Sequence, residues 1–143
     1  MSKKHILLID DEENFGRIFK INLERTGAYE VELACDAIQG LGKLRAHTYD
    51  LVFLDVLMPK MEGGEALGII RKETNVPVVI ISAYLPPDKQ REVLEAGASD
   101  SLQKPFNLDE TLRVIHRVLE AQEKGKFLGA GGRSGQPQNP RPL

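Results

Sequence analysis

The sequence predicts a doubly wound α/β domain. Two observations predict it: five short aliphatic runs alternate with five longer amphipathic segments, and several of the runs are apolar at every position. Strands covered on both faces read as continuous apolar runs, and strand–helix alternation implies right-handed crossovers and a parallel sheet between two helical layers.

Taken in order, the first strand is expected over His5 to Ile9, followed by a helix over about residues 13–26 that Gly27 closes. Tyr29 to Leu33 is the second strand, and Asp36 opens a helix over 36–46. Leu51 to Leu54 and Val78 to Ile81 are the third and fourth strands, with helices over 62–73 and 87–96, the latter closed by Gly97. The fifth strand, Asp100 to Gln103, is the weakest in pattern. The last helix, 108–123, has Asn107 as its cap and Gly125 beyond it, and Leu108, Leu112, Ile115 and Leu119 recur along one face.

A chain of 143 residues, 41% hydrophobic and 28% charged, suits one domain that buries roughly two-thirds of its unfolded surface without staples. The single cysteine, Cys35, closes no intramolecular bridge, in keeping with a reducing compartment. No run approaches the roughly 20 apolar residues that span a bilayer, and the first residues lead straight into a strand without a signal-peptide core. The expected location is the cytoplasm, with no membrane partner.

All 21 acidic residues fall within positions 1–124, whereas Lys126, Arg133 and Arg141 lie beyond them. So acidic a body is a poor candidate for direct nucleic-acid binding. Residues 1–124 read as the domain and residues 125–143 as a Gly/Pro-rich linker or disordered tail, a place where an output domain could be joined.

In a doubly wound sheet, ligands bind beyond the carboxyl ends of the strands. The polar residues that end the apolar runs are therefore the candidates. The first run ends in Asp10-Asp11, the third in Asp55 and the fourth in Ser82, while the fifth reaches Lys104 before Pro105. Taken singly, each has a plain structural use: a strand-ending aspartate caps a helix or forms a turn, a serine satisfies a turn, a lysine is solvated. Their coincidence at one edge points to chemistry, because packing gives no reason to gather like charges there.

Clustered carboxylates need neutralising, and a hard divalent cation does so best. Asp10, Asp11 and Asp55 are too few to fill an octahedron, so positions stay open for water and a phosphoryl oxygen, which points to Mg²⁺. Such a metal lets an aspartate carboxylate attack phosphorus, with Lys104 and Ser82 available to other phosphoryl oxygens. The histidines His5, His47 and His116 have no ligand-like spacing, and Gly63-Gly64 reads as a turn.

These residues carry a resemblance. The sequence resembles the receiver domain of two-component response regulators over about residues 4–122. The matching elements are Ile9-Asp10-Asp11-Glu12, Asp55-Val-Leu-Met-Pro59 with Gly63, Ser82-Ala83, Gly97-Ala98-Ser99-Asp100, and Lys104-Pro105-Phe106. The resemblance implies a flavodoxin-like sheet of order 2-1-3-4-5. It implies Asp55 as acceptor of a phosphoryl group from a histidine kinase or phosphotransfer protein, and Mg²⁺ held by Asp10, Asp11, Asp55 and the backbone carbonyl of Leu57. Ser82 and Lys104 would read the phosphoryl group, and the surface around the fourth helix, fifth strand and fifth helix would change partner affinity; oligomeric state is left open, with a phosphorylation-dependent homodimer as the family's usual possibility. The Lys104-Pro105 peptide is commonly cis in this family. The chain is then a signalling domain that catalyses only its own phosphorylation and dephosphorylation.

One departure stands out: Ser101 occupies the position where the family usually places Tyr or Phe. Tyr84 or Phe106 is expected to share that aromatic role. Leu57 and Tyr84, each two residues past a site residue, are expected to shield an acyl phosphate from water. The alternative is a receiver-like interaction domain that acts without phosphorylation, for which Ser101 is the sequence hint and the full acidic and lysine set the counterweight. A flavodoxin-like binding module is disfavoured by Asp10-Asp11-Glu12-Glu13, which would repel phosphate. An aspartyl-phosphate hydrolase is disfavoured by Leu57 where a second acid is wanted.

Overall fold

The computed structural model describes residues 2–57 and 63–131. Five strands, β1 (Lys4–Ile9), β2 (Tyr29–Ala34), β3 (Leu51–Asp55), β4 (Val78–Ser82) and β5 (Asp100–Gln103), alternate with five helices. The helices are α1 (Glu13–Arg25), α2 (Ala37–Ala46), α3 (Gly63–Glu73), α4 (Pro87–Glu95) and α5 (Leu108–Gly131). The strands are parallel and ordered β2-β1-β3-β4-β5, as expected.

Side-chain alternation along the central strands divides the core in two. Ile6, Leu8, Leu51, Phe53, Val79 and Ile81 face α1 and α5, where they meet Phe19, Leu23, Val114, Ile115 and Val118. Leu7, Ile9, Val52, Leu54, Val78 and Ile80 face the other layer and meet Leu41, Leu67, Ile70 and Val93 from α2, α3 and α4. This two-sided burial is why β1, β3 and β4 read as unbroken apolar runs. It also fixes register, since a slip of one residue would turn every side chain to the wrong layer.

Close packing locks the strand ends that carry the site. A Cβ at Gly40 of α2 would run into the Ile9 side chain, so glycine lets the helix lie against the last residue of β1. Gly97 adopts φ +115°, and a Cβ there would stand 2.8 Å from the Arg71 stem, so the turn into β5 needs glycine twice over. Asp36 caps α2 by accepting the Gln39 N–H at 2.8 Å. Asn107 and Glu110 cap α5 reciprocally, at 2.8 and 3.0 Å.

The last helix runs on to Gly131, past Gly125 where the sequence suggests its end. One glycine inside a helix costs about 1 kcal/mol relative to alanine, and no proline follows before Pro137, so nothing sterically stops the helix at that point. The rest of the expected tail, residues 132–143, lies outside the described residues, as does the expected loop Met58-Pro59. Among the described residues no helix is long and apolar enough to cross a membrane.

Candidate functional site

Parallel pairing sets the carboxyl ends of β1, β3, β4 and β5 side by side. Ile9 pairs with Leu54, Asp55 with Ile81, and Ser82 with Gln103, so Asp10, Asp55, Ser82 and Lys104 emerge at one edge. Backbone hydrogen bonds extend the frame past the strands: Asp10 N–H to Ala34 C=O at 3.0 Å, Val56 N–H to Ile81 C=O at 3.2 Å, and Lys104 N–H to Ser82 C=O at 2.8 Å.

Asp10 and Asp55 are buried at 6% and 4% exposure, and Asp11 is exposed. One carboxylate oxygen from each of the three lies within 4.8 Å of the other two. In both buried groups Oδ1 accepts a main-chain N–H two residues on, Glu12 for Asp10 and Leu57 for Asp55, each at 2.9 Å. These turns hold the carboxylates in place by their first oxygens.

The second oxygens face Lys104. Its Nζ lies 2.8 Å from Asp10 Oδ2, 3.4 Å from Asp55 Oδ2 and 2.5 Å from Glu12 Oε1, and 4.4 Å from the centre of the Phe15 ring. The ion pair to Asp10 lacks hydrogen-bond geometry, so Asp10 Oδ2 is a buried oxygen with no hydrogen-bond donor. Burial alone would lower the Lys104 ammonium, but pairing with Asp10 and Glu12 and the charge of Asp55 raise it above the ordinary lysine value. Burial raises the Asp55 carboxyl, and the Asp10 charge adds to this, against the Leu57 N–H and Lys104.

Ser82 is fully buried. Its hydroxyl donates to the Tyr84 carbonyl at 3.0 Å and accepts the Tyr84 N–H at 3.2 Å, which closes the turn after β4. Leu57 and Tyr84 both project outward, at 59% and 70% exposure. The Lys104-Pro105 peptide is cis. Phe106 stacks edge-on against Phe15 at 5.6 Å, whereas Ser101 accepts a hydrogen bond from the Gln90 amide of α4 at 2.8 Å.

Two residues at this edge were not among the sequence candidates. Glu12 reads as part of an acidic run and Phe15 falls within the expected first helix; only the fold shows that both touch Lys104. The run Asp10-Asp11-Glu12 at a strand-to-helix junction was the available signal for Glu12. His5, His47 and His116 take no part in the cluster, and Cys35 is an exposed free thiol.

Three carboxylates with a buried, undonated oxygen among them are a fitting donor set for a hard divalent cation. Two of them can also meet a phosphoryl group, because an ammonium stands beside them to receive the charge that an anionic group brings in.

Comparisons with known proteins show which family the chain resembles. The family model described as the response regulator receiver domain matches residues 6–116. The response regulator ArlR of Staphylococcus saprophyticus is 33% identical over 127 residues, covering 89% of this chain and 57% of the relative. The chain thus spans a little over half the length of the curated relatives it matches. Among solved structures, a CheY-like receiver domain protein from Methanospirillum hungatei is 33% identical with a TM-score of 0.80, over 86% of this chain and 98% of that one. NtrX from Brucella abortus, solved in complex with ATP, is 27% identical with a TM-score of 0.79, over 88% of this chain but 29% of that one.

Proposed function

Because the chain belongs to the response regulator receiver domain family, we propose that it is a two-component signalling switch whose phosphoacceptor is Asp55. The observation that carries this is the meeting of Asp55, Asp10, Asp11 and Lys104 at one sheet edge, with a buried carboxylate oxygen left undonated.

In this reading Asp55 Oδ2, the oxygen that faces Lys104, attacks the phosphorus of a phosphohistidine on a histidine kinase or phosphotransfer protein. The P–N bond breaks, the P–O bond of an acyl phosphate forms, and the imidazole leaves and takes up a proton. Asp10, Asp11 and Asp55, with the backbone carbonyl of Leu57, would hold Mg²⁺. When bound, that ion supplies charge stabilisation for the transferring group.

Lys104 gives its ammonium to one phosphoryl oxygen. Ser82 gives its hydroxyl to another, which it can do only by releasing the Tyr84 carbonyl it now holds. That exchange links the site to the turn leading into α4, and so to the surface of α4, β5 and α5 where a partner or a second copy would respond. The donor has a natural approach: a groove of about 440 Å³ beside Lys104, walled by Phe15, Ile18, Phe106 and Leu108, with Ile18 exposed. The chain itself catalyses only the gain and loss of its own phosphoryl group. It works in the cytoplasm, with residues 1–124 as the switch and the segment beyond as a tether to any output domain.

Amide NMR tests the reading. Mg²⁺ with beryllofluoride, a stand-in for a phosphoryl group on a carboxylate, is expected to shift Asp55, Ser82, Tyr84 and Lys104 together in the wild type and not in Asp55→Asn. Shifts that persist in Asp55→Asn would overturn it.

A further inference from the structure

Glu12 stands at the N-cap position of α1 yet makes no capping hydrogen bond with its side chain. Its carboxylate instead reaches Lys104 Nζ at 2.5 Å, the shortest of the three contacts that ammonium makes with carboxylates. Glu12 is also the exposed member of the set: its side chain is 61% accessible, against 0% for Asp10 and 6% for Asp55. The ammonium is therefore suspended between a buried pair of carboxylates and one at the solvent edge, with the Phe15 ring beside it.

A divalent cation on Asp10 and Asp55 would repel an ammonium 2.8 Å from Asp10. Moving Lys104 away from a buried carboxylate is costly unless the ammonium keeps a partner. Glu12 is placed to be that partner.

We propose that Glu12 is a positioning residue that draws Lys104 toward solvent as Mg²⁺ binds and holds it there until a phosphoryl oxygen takes it. This inference rests on the reading of Asp10, Asp11 and Asp55 as Mg²⁺ ligands. Without Glu12 the ammonium settles on Asp10 and Asp55 and competes with the metal.

A double-mutant cycle on Mg²⁺ affinity, followed by NMR titration of the whole chain, tests this. The proteins are wild type, Glu12→Gln, Lys104→Gln and the double variant, with Glu13→Gln as a control that removes the same charge from an exposed neighbour. Glu12→Gln is expected to weaken Mg²⁺ binding at least threefold more than Glu13→Gln, and most of that excess should vanish when Lys104 is Gln. A purely electrostatic role gives the opposite pattern, because Glu12 freed of Lys104 would attract the metal more strongly and its removal would then cost more. That pattern, equal effects of the two single glutamate variants, or no Mg²⁺ binding by the wild type would each overturn the proposal. If Lys104→Gln does not fold, Lys104→Met takes its place in the cycle, and equal effects of Glu12→Gln and Glu13→Gln would still overturn the proposal. Failure of the phosphoacceptor reading is separately visible, as intact Mg²⁺ binding with no phosphoryl adduct on Asp55.

Discussion

Lys104 reaches across the end of β4 to bring its ammonium within 3.4 Å of Asp55 Oδ2, two strands away in the sheet. The site is thus assembled from β1, β3 and β5: the ends of β1 and β3 supply carboxylates, and the end of β5 supplies the ammonium that pairs with both. Its side chain is 11% exposed, so this neutralisation takes place largely out of water.

Removing the ammonium is expected to destabilise the metal-free protein. Lys104→Met leaves Asp10 and Asp55 buried and uncompensated, a loss of about 3 kcal/mol on the scale of broken buried pairs. Mg²⁺ supplies the missing positive charge, so it should raise the melting temperature of Lys104→Met by more than it raises the wild type. Thermal melts with EDTA and with excess Mg²⁺ check both halves; an equal rise in the two proteins would count against a shared counter-charge.

Asp55 carries the opposite cost. Burial first, then the Asp10 charge, push its carboxyl up, so the folded protein holds that proton to higher pH than the unfolded chain does. Ionising it therefore costs stability. The cost is absent below the ordinary aspartate value near 3.9 and complete once the pH exceeds the folded value. Asp55→Asn should melt above the wild type at pH 7 in EDTA, and the gap should close as the pH falls toward 4. A variant that is less stable at neutral pH would contradict the electrostatic account.

The aromatic that answers for Ser101 should be Tyr84 and not Phe106. Tyr84 is tied to the Ser82 hydroxyl through both its N–H and its carbonyl and has an exposed ring. Phe106 is engaged with Phe15 on the α1 side. Tyr84→Ala is expected to abolish phosphorylation-induced NMR shifts in α4 and β5 at little cost in stability. Phe106→Ala should leave those shifts and cost about 2 kcal/mol by denaturant unfolding.

Leu57 and Tyr84, each two residues past a site residue, are large and exposed, and the sequence assigns them the shielding of an acyl phosphate from water. The acyl phosphate should therefore be long-lived, and Leu57→Asn with Tyr84→Glu should shorten its lifetime several-fold in a dephosphorylation time course. An unchanged lifetime would remove the screen from the account.

Much of this was legible in the sequence, for a physical reason. Burial of β1, β3 and β4 on both faces wrote itself into Ile6 to Ile9, Leu51 to Leu54 and Val78 to Ile81, and the polar residue ending each run marked the edge where the carboxylates, Ser82 and Lys104 emerge. β5 was faint because three of its four residues are only half-buried and Gln103 is exposed, so Asp100 and Ser101 could stand in a strand. Glu12 was legible only as the third acid of the Asp10-Asp11-Glu12 run, and Phe15 not at all as a site residue, since their meeting with Lys104 spans about 90 positions of chain and depends on how α1 leaves β1. The extent of α5 was hidden by Gly125, which a helix tolerates when no proline follows closely.

The central claim, that Asp55 accepts a phosphoryl group with the help of a divalent cation, is tested most directly by intact-protein mass after incubation with acetyl phosphate. Wild type and Asp55→Asn are compared, each with Mg²⁺ and with EDTA. The account predicts one phosphoryl adduct, formed only when both Mg²⁺ and Asp55 are present. A folded wild type that binds Mg²⁺ yet forms no adduct, or an adduct that survives in Asp55→Asn, would contradict it and favour a receiver-like interaction domain that acts without phosphorylation.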